Sequence, residues 1–309
     1  MDIIEAFEQG RVPGFGLPEK TIETQLSKVF LYPDTVVKAY KKEKYFFADL
    51  SSIEGRKKFY EDDFLWNNTA SPLVYHTLGE HEGEHFFVMN RIDTENTITN
   101  LLLEDRVETS HIDAVTDLLV QTIRTLTNKK LADYAHVADR GWVDIWNERL
   151  EVDLPEWAKL ASPHVSMDEV QSILKKMKEY SAIEPYFNPY DSSLLSIQAD
   201  NNCDNFLIIN DEPHLIDSMP PKEAWRVFDE AAIVARTAVD AYVLGSEKLG
   251  DAVYTAYEKY RTGITDTAKI LYEINAGMIQ WPYRHMIGQH DLAEKFRLYV
   301  LKRLEKLGN

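Results

Sequence analysis

Hydrophobic and aromatic residues in the first half of the N-terminal region fall in short runs separated by polar turns. Residues 21–30 and 35–40 are rich in β-branched and aromatic side chains. A Tyr-Pro-Asp turn lies between the two runs, and this pattern predicts a β-hairpin. A helix is predicted to begin after Ser51-Ser52 and to continue through residues 56–66, where apolar side chains are spaced among charges.

Two further strands are predicted after this helix, at residues 73–78 and 86–89. Residues 79–85, which contain Gly, Glu and His, are predicted to form a loop between them. Residues 1–20 hold three Gly and two Pro, which favours an irregular lead-in over a stable element. The predicted order of this region is therefore β-β-α-β-β.

After Met89 the apolar residues recur at helical spacing instead. Helices are predicted at residues 95–103, 112–126, 142–157, 167–180, 222–244, 252–260, 267–278 and 291–307. One segment, residues 194–217, breaks this pattern. It holds two short apolar runs, 206–209 and 214–216, which are joined by an Asn-Asp-Glu-Pro turn and predict a second hairpin.

A small β-rich lobe followed by a large helical lobe with an embedded hairpin is the layout of the two-lobed protein-kinase-like fold, of class α+β. We therefore expect an N-terminal nucleotide-binding lobe at residues 1–89, including the irregular lead-in. A helical C-terminal lobe is expected at residues 90–309, with the catalytic loop and hairpin at 198–217.

Composition narrows the classes of function. The 309 residues carry 51 Asp and Glu against 34 Lys and Arg, a net charge of −17. This excess repels nucleic acids and anionic membranes, so neither is expected as a partner. The single cysteine, Cys203, excludes an internal disulfide, and the acidic start does not match a signal peptide. We expect a cytoplasmic protein without a membrane span.

Three polar residues flank the embedded hairpin at informative intervals. Asn205 follows Asp200 by five positions, and Asp217 lies twelve positions further on. Because a hairpin returns its ends to one place, the three side chains can converge. Phosphoryl transfer needs a carboxylate that orients the attacking hydroxyl, and oxygen ligands for Mg²⁺. Taken alone, this stretch is equally consistent with an ordinary polar loop, because Asx residues favour loops.

The N-terminal lobe adds a lysine and an acid. Lys38 ends the run Thr35-Val36-Val37, and Glu61 lies on the following helix. A strand lysine paired with a helix glutamate holds the α- and β-phosphates of the nucleotide in kinase-like folds. Other acids on the same helix compete with Glu61 for this role, namely Glu54, Asp62 and Asp63.

At these positions the sequence resembles the aminoglycoside-phosphotransferase-like kinases, over residues 20–280. The family loop reads His-Gly-Asp-x-x-x-x-Asn and is followed, after a hairpin, by Ile-Asp. The matching stretches here are Gln198-Ala199-Asp200-Asn201-Asn202-Cys203-Asp204-Asn205 and Leu215-Ile216-Asp217. The similarity is greatest to a poorly characterised bacterial branch, some members of which carry a second, P-loop kinase domain. No P-loop motif occurs in this sequence.

The resemblance implies binding of ATP and Mg²⁺ and transfer of phosphate to a small-molecule hydroxyl. It assigns the catalytic base to Asp200, Mg²⁺ ligation to Asn205 and Asp217, and the phosphate clamp to Lys38, held by Glu61. The loop 25–28, with Ser27 and Lys28, would cover the phosphates. The hinge 87–92, with Phe87, Met89 and Arg91, would meet the adenine.

Two departures from the family loop matter. Gln198 replaces the histidine, and Ala199 replaces the glycine, where a Cβ is costly if the position needs a positive φ. An alternative function is therefore that of a pseudokinase, which keeps the nucleotide or only the fold. The acceptor, the choice between ATP and GTP, and the oligomeric state are left open by the sequence.

Other candidate residues have structural interpretations. The spacing of His76, His81 and His85 fits no common metal-ligand pattern, so a solvated turn is expected there. Cys203 is expected to be a small packing residue. Arg226 and Asp229 are expected to form a structural ion pair next to the Asp217 segment.

Overall fold

The computed structural model describes residues 2–93 and 95–307. Met1, Gly308 and Asn309, at the outer ends of the two predicted lobes, lie outside the described residues. The N-terminal part contains, in order, helix α1 (Ile3–Glu8), strands β1 (Lys20–Glu23), β2 (Ser27–Leu31) and β3 (Thr35–Tyr40), helix α2 (Ile53–Ala70), and strands β4 (Tyr75–His81) and β5 (Glu84–Asn90). The strands form one antiparallel sheet in the order β1-β2-β3-β5-β4.

The lead-in is more ordered than its Gly and Pro content predicts. Helix α1 is capped by the Asp2 carboxylate, which accepts a hydrogen bond from the Ile4 amide at 2.8 Å. Its buried Ile3 and Phe7 pack on the outer face of the sheet, where the Phe7 ring stacks on Phe30 with centroids 5.2 Å apart. The prediction of an irregular segment is therefore wrong for residues 3–8, because the short helix closes this second hydrophobic cluster.

Two turn positions also differ from the prediction. The run 21–30 is two strands, because Thr24 turns the chain and its hydroxyl accepts a hydrogen bond from the Ser27 amide at 2.9 Å. Residues 79–85 are mostly strand, because β4 and β5 continue to a two-residue turn. Both turn residues, Glu82 and Gly83, have positive φ, as tight hairpin turns require.

The C-terminal part is mostly helical. Its elements are α3 (Ile98–Leu103), α4 (Thr109–Lys130), α5 (Ala135–Ala138), α6 (Trp142–Glu148), α7 (Leu154–Leu160), α8 (Met167–Ile183), β6 (Leu195–Ile197), β7 (Phe206–Ile209), β8 (Glu212–Leu215), β9 (Val227–Asp229), α9 (Glu230–Asp240), α10 (Glu247–Tyr257), α11 (Asp266–Met286) and α12 (His290–Lys306). A π-helical turn joins α6 to α7, and another extends α9. The embedded hairpin β7–β8 is confirmed, as is the two-lobed α+β class.

The helix predicted at 222–244 begins eight residues later, at Glu230. A short 3₁₀ turn and strand β9 come first, and the Asp229 carboxylate caps α9 by accepting from the Ala231 amide at 2.7 Å. The expected pair of Arg226 and Asp229 is wrong. Arg226 binds Asp62 at 3.0 Å, whereas Asp229 binds Arg261 at 2.8 Å.

Helix α2 connects the sheet to the embedded hairpin. Trp66 donates its indole N–H to the Gln198 carbonyl at 3.0 Å, and the Asn67 side-chain oxygen accepts from the Ser218 amide at 2.8 Å. From the same helix the Tyr60 hydroxyl accepts from the Tyr40 amide of β3 at 2.6 Å. Helix α2 therefore holds strand β3 and the embedded hairpin in fixed positions relative to each other. Within the described residues, no helix is long and apolar enough to cross a membrane.

Candidate active site

A cavity of about 770 Å³ lies between the sheet and the helical part. Its walls come from the β1–β2 turn, from β3, from α7 and α11, and from both ends of the embedded hairpin. The side chains that carry charge or amide groups there are Glu23, Gln25, Lys38, Arg149, Asp153, Gln198, Asp200, Asn202, Asn205, Asp217 and Arg236. Four of the residues selected from the sequence, Lys38, Asp200, Asn205 and Asp217, thus face one space.

Asp200 is held from its backbone and from its side chain. Its amide donates to the Ser218 carbonyl at 2.6 Å, which ties the loop to the chain after the hairpin. One carboxylate oxygen lies 2.7 Å from a terminal nitrogen of Arg236, and 28% of the side chain is exposed, toward the cavity. Burial raises the pKa of the Asp200 carboxyl, whereas the Arg236 charge opposes that rise.

Asn205 joins the two acids of the site. Its side-chain nitrogen donates to the Asp200 carbonyl at 3.0 Å and to the Asp217 carbonyl at 3.3 Å. Both amide protons are used, so the amide orientation is fixed. The side-chain oxygen of Asn205 is left as an acceptor at the cavity wall.

Asp217 has a left-handed backbone conformation, with φ of +50°. Asp tolerates this region better than most residues. Its amide donates to the Tyr75 hydroxyl of β4 at 3.1 Å, and its side chain is 61% exposed. The turn at Asp217 therefore presents a carboxylate to the cavity.

Lys38 reaches that carboxylate from strand β3. Because side chains alternate along a strand, Val37 and Ala39 face the outer cluster, whereas Lys38 and Tyr40 face the cavity. The ammonium nitrogen lies 2.5 Å from Oδ1 of Asp217. Burial lowers the pKa of Lys38, but the charges of Asp217 and Asp63 outweigh it and raise the pKa overall.

The structure does not bring Glu61 to Lys38. Glu61 is exposed on α2, while Asp63, two positions later, is buried and faces the lysine. The Asp63 carboxylate accepts hydrogen bonds from the Tyr40 hydroxyl and from Asn67. A step of two residues turns a helix by about 200°, so only one of the two acids can face the sheet. The expected pairing of Glu61 with Lys38 is therefore wrong: Lys38 is paired with Asp217, and Asp63 is the acid of α2 whose charge acts on the lysine.

The backbone conformation accommodates both departures from the family loop, Gln198 and Ala199. Ala199 is fully buried, and its φ is not positive, so its Cβ causes no left-handed strain. Gln198 is buried, and its amide donates to the Arg226 carbonyl at 2.8 Å while its carbonyl accepts from Trp66. The loop is therefore organised through its backbone and through helix α2.

Of the expected nucleotide contacts, Ser27 faces the cavity and several others do not. Lys28 lies one residue further along β2 and binds Glu8 of α1 at 2.6 Å. Phe87 is fully buried among the rings of Tyr40, Tyr60 and Tyr75, so its side chain is part of the core.

The remaining hinge residues also have other contacts. The Met89 side chain packs on the main core, and Arg91 binds Glu19 at 2.6 Å and the Tyr32 carbonyl at 2.7 Å. None of Phe87, Met89 and Arg91 lines the cavity. These residues are therefore not brought to Lys38 by their side chains, and their expected role rests on the backbone of the hinge.

The donors around Asp217 fit a Mg²⁺ ion. Hard oxygen ligands from a carboxylate and an amide are the type that Mg²⁺ prefers. Asn205 keeps its side-chain oxygen free of the two hydrogen bonds that fix its nitrogen, and Asp217 is exposed to the same cavity. Asn205 and Asp217 are the residues that would hold the ion.

Sequence reasoning missed Arg236 and the far end of the cavity. Arg236 lies on α9, among residues that are almost all buried, and a charge in such an apolar stretch is a signal that it has a partner. The far end contains Arg149 and Asp153 from the π-helical turn, with Trp157 and Trp225 as aromatic walls. No sequence motif links these residues to Asp200.

The surroundings of Cys203 and of three histidines test the structural interpretations given to them. Cys203 is fully buried, and burial raises the pKa of its thiol, as a packing residue requires. His76, His81 and His85 do not form a metal-ligand cluster within the described residues. The burial of Cys203 agrees with its interpretation as a packing residue, whereas the expected solvated turn is wrong, because His76 and His81 lie on β4 and His85 lies on β5.

Comparisons with solved structures identify the fold. A choline kinase from Streptococcus pneumoniae superposes with a TM-score of 0.58 at 11% identity, over 98% of both chains. An aminoglycoside 2'-phosphotransferase in complex with GDP gives 0.55 at 12% identity, over 98% of this chain and 97% of that one. The chain has the protein-kinase-like fold of these small-molecule phosphotransferases.

A thermostable aminoglycoside phosphotransferase bound to AMP-PNP and hygromycin B gives a TM-score of 0.53 at 13% identity, over 98% of this chain and 97% of that one. No protein-family model and no curated protein sequence matches the chain. The likeness therefore lies in the architecture, and the placement in a bacterial branch linked to P-loop domains stays a prediction.

Proposed function

We propose that the protein is an ATP- and Mg²⁺-dependent phosphotransferase that moves the γ-phosphate of ATP to a hydroxyl of a small molecule. The observation that carries this proposal is the convergence of Lys38, Asp200, Asn205 and Asp217 on one cavity. A base, two oxygen donors and a phosphate-binding cation are the set that phosphoryl transfer needs. The nucleotide and small-molecule complexes of the similar structures support the same proposal.

Asp200 would accept a hydrogen bond from the acceptor hydroxyl and align it for in-line attack. Positioning and charge neutralisation supply most of the catalysis in this chemistry. The ion pair with Arg236 at 2.7 Å favours the ionised carboxylate against the effect of burial and restricts its orientation. Arg236 is thus proposed as a positioning residue for the base.

Lys38 would bind the phosphates from the sheet side. Its pKa is raised by Asp217 and Asp63 in spite of burial, so it is cationic at neutral pH. Asp63 and Tyr40 fix its surroundings from α2 and β3. When bound, Mg²⁺ would neutralise the charge that develops on the β- and γ-phosphates.

Each lobe is proposed to carry a different part of the function. Residues 1–89 are proposed as the nucleotide lobe, with the turn at 24–27 over the phosphates and the backbone of 87–92 as the hinge. Residues 90–309 are proposed to carry the catalytic loop and the acceptor. The aromatic and charged residues at the far end of the cavity would contact the acceptor. A cytoplasmic location is proposed from the single buried thiol.

A pseudokinase is the alternative, and Gln198 is the residue that favours it. The residues of the site argue against a pseudokinase, because the proposed base, the two oxygen donors and the lysine are all present. A phosphotransferase turns substrate over, whereas a pseudokinase does not, whether it keeps the nucleotide or only the fold.

The test is ADP release in Mg²⁺ with a panel of hydroxylated acceptors that includes choline and hygromycin B, together with ATP affinity by calorimetry. We expect Asp200→Asn to lower kcat by roughly a hundredfold or more, as for loss of a general base, and to keep the affinity for ATP. Asp211→Asn is the matched control, because Asp211 is exposed at the tip of the same hairpin.

The catalytic proposal fails if ATP binds but neither any acceptor nor water gives turnover above that of Asp200→Asn. That result assigns the chain to the pseudokinase class. Absence of ATP binding in the presence of Mg²⁺ would also overturn the phosphotransferase, and it would leave a pseudokinase that keeps only the fold.

A further inference from the structure

Three histidines from separate elements meet beside the cavity. His164 lies in the connection between α7 and α8, His285 is in the last turn of α11, and His290 begins α12. Their ring centroids are 4.5 to 5.3 Å apart, and one nitrogen from each ring lies within 4.8 Å of the others. It is the only such grouping of three His, Cys, Asp or Glu ligands among the residues that the structure describes.

The cluster is distinct from the proposed Mg²⁺ site. None of the three histidines lines the cavity, although their neighbours Met286 and Ile287 do. Its donors are imidazole nitrogens, which suit Zn²⁺, Ni²⁺ or Co²⁺, whereas Asn205 and Asp217 offer the oxygens that Mg²⁺ prefers.

The spacing of the three nitrogens can reach that of a tetrahedral metal centre by rotation of the rings. Zn–N bonds of about 2.0–2.1 Å place two ligand nitrogens of a tetrahedron about 3.3 Å apart. The Nδ1 atoms of His285 and His290 are 2.9 Å apart, so only a small ring rotation is needed between them. His164 and His290 are exposed, and an exposed side chain changes rotamer at little cost.

A structural interpretation explains the cluster less well. Core histidines are buried and paired, but two of these rings are exposed. Three stacked imidazoles would also repel each other once protonated.

We propose that His164, His285 and His290 form a binding site for one divalent transition-metal ion of the Zn²⁺ class, with a fourth position open to water. The ion would join the α7–α8 connection to the corner between α11 and α12. Because Leu160, Met286 and Ile287 line the cavity next to this corner, metal binding would also fix the rim of the proposed acceptor end.

The test uses the untagged full chain without nucleotide, in a buffer with excess Mg²⁺ that occupies oxygen sites. Co²⁺ is titrated and followed by the visible absorption of tetrahedral Co²⁺, and Zn²⁺ binding is measured by calorimetry and by the thermal midpoint. We expect one ion per chain and a midpoint that rises with Zn²⁺ concentration.

Three variants make the test specific to this site. His164→Gln, His285→Ala and His290→Ala are each expected to weaken Co²⁺ binding at least tenfold and to abolish the tetrahedral spectrum. His76→Ala is the control, because His76 is an exposed histidine on β4. Circular dichroism and the metal-free thermal midpoint verify that each variant is folded.

The proposal is overturned if the native chain binds Co²⁺ no more tightly than the folded His285→Ala and His290→Ala variants. It is also overturned if His76→Ala loses as much affinity as they do. Neither result depends on catalysis, so the metal site and the phosphotransferase proposal stand or fall separately.

Discussion

A terminal guanidinium nitrogen of Arg236 lies 2.7 Å from Oδ1 of Asp200. The two residues are 36 positions apart, and helix α9 places the arginine under the loop that carries the acid. Burial raises the pKa of Asp200, and the charge of the arginine opposes this rise, so the arginine extends the ionised range of the acid toward lower pH.

Replacing the arginine should therefore shift the pH profile. We expect Arg236→Met, which removes the charge and keeps most of the volume, to raise the pKa of Asp200 further. The acid limb of kcat/KM should move to higher pH by about one unit or more, since an opposite charge at this range changes a pKa by about 1–3 units. The measurement is kcat/KM for the accepted substrate between pH 5 and 9.

Arg297→Met serves as the control, because Arg297 pairs with Glu169 and Glu294 away from the cavity. A uniform fall in kcat/KM without movement of the acid limb would contradict the role given to Arg236.

The acids of α2 provide a matched pair of variants. Asp63→Asn removes a charge that raises the pKa of Lys38 and one acceptor from the hydrogen bonds with Tyr40 and Asn67. We expect it to reduce the free energy of unfolding by about 1–3 kcal/mol and to weaken ATP binding. Chemical denaturation and calorimetry measure the two effects.

Glu61→Gln should change neither quantity appreciably, with a stability effect within about 0.5 kcal/mol as for an exposed residue. If Glu61→Gln weakened ATP binding and Asp63→Asn did not, the role given to Asp63 would be contradicted and Glu61 would be favoured instead.

Asn67 is expected to be a positioning residue for the end of the hairpin. Its side-chain oxygen accepts from both the amide and the hydroxyl of Ser218, and its nitrogen donates to Asp63. Asn67→Ala leaves these buried groups without a partner, so we expect a loss of about 2–4 kcal/mol in stability. We also expect kcat to fall more than the affinity for ATP.

Asn68→Ala is the matched comparison for helix propensity, because Asn68 is the next residue of α2 and its side chain is exposed. This variant should leave kcat unchanged. If both variants lower kcat equally, the effect belongs to the helix as a whole and not to the bond with Ser218.

Buried Asp240 should make stability depend on pH. It accepts from the Cys203 amide at 2.7 Å and from Gln280 at 3.1 Å, and burial raises its pKa to about 6. An acid whose folded pKa is above its unfolded value binds a proton more readily in the folded state. The contribution of Asp240 to the free energy of unfolding is therefore complete below about pH 4 and is lost as the pH rises through 6.

The free energy of unfolding of the native chain should include a fall of up to about 3 kcal/mol across this range. Asp240→Asn, which resembles the protonated form, should flatten that part of the profile in denaturation experiments at pH 4 to 7. Asp139→Asn, at an exposed position, should keep the native slope, and an unchanged slope in Asp240→Asn would refute the assignment.

The residues predicted most successfully are those whose spacing along the chain determines their position in space. Asp200, Asn205 and Asp217 flank one hairpin, so local turn chemistry at Asn210 and Asp211 is enough to bring the two ends together. The lysine strand was predictable from local sequence as well, because its run of β-branched residues at 35–37 favours a strand.

The errors have a different physical origin. Helix α2 carries four acids, and only the packing of the helix on the sheet determines that Asp63 is the one whose charge acts on Lys38. Arg236 approaches Asp200 through the fold and not through local sequence. Helix α1 is too short for its propensity to outweigh nearby Gly and Pro, and its stability comes from contact of Phe7 with Phe30.

The hydrogen bonds of α2 to both lobes limit how substrates reach the cavity. If the sheet rotated away from the helical lobe as a rigid body, the bonds of Tyr60 to β3 or of Trp66 and Asn67 to the hairpin would break. The turn at residues 23–27 also lines the cavity, and these hydrogen bonds of α2 do not hold it. The neighbouring strand β1 has four residues, all of them exposed. Entry and exit are thus expected to proceed by displacement of that turn.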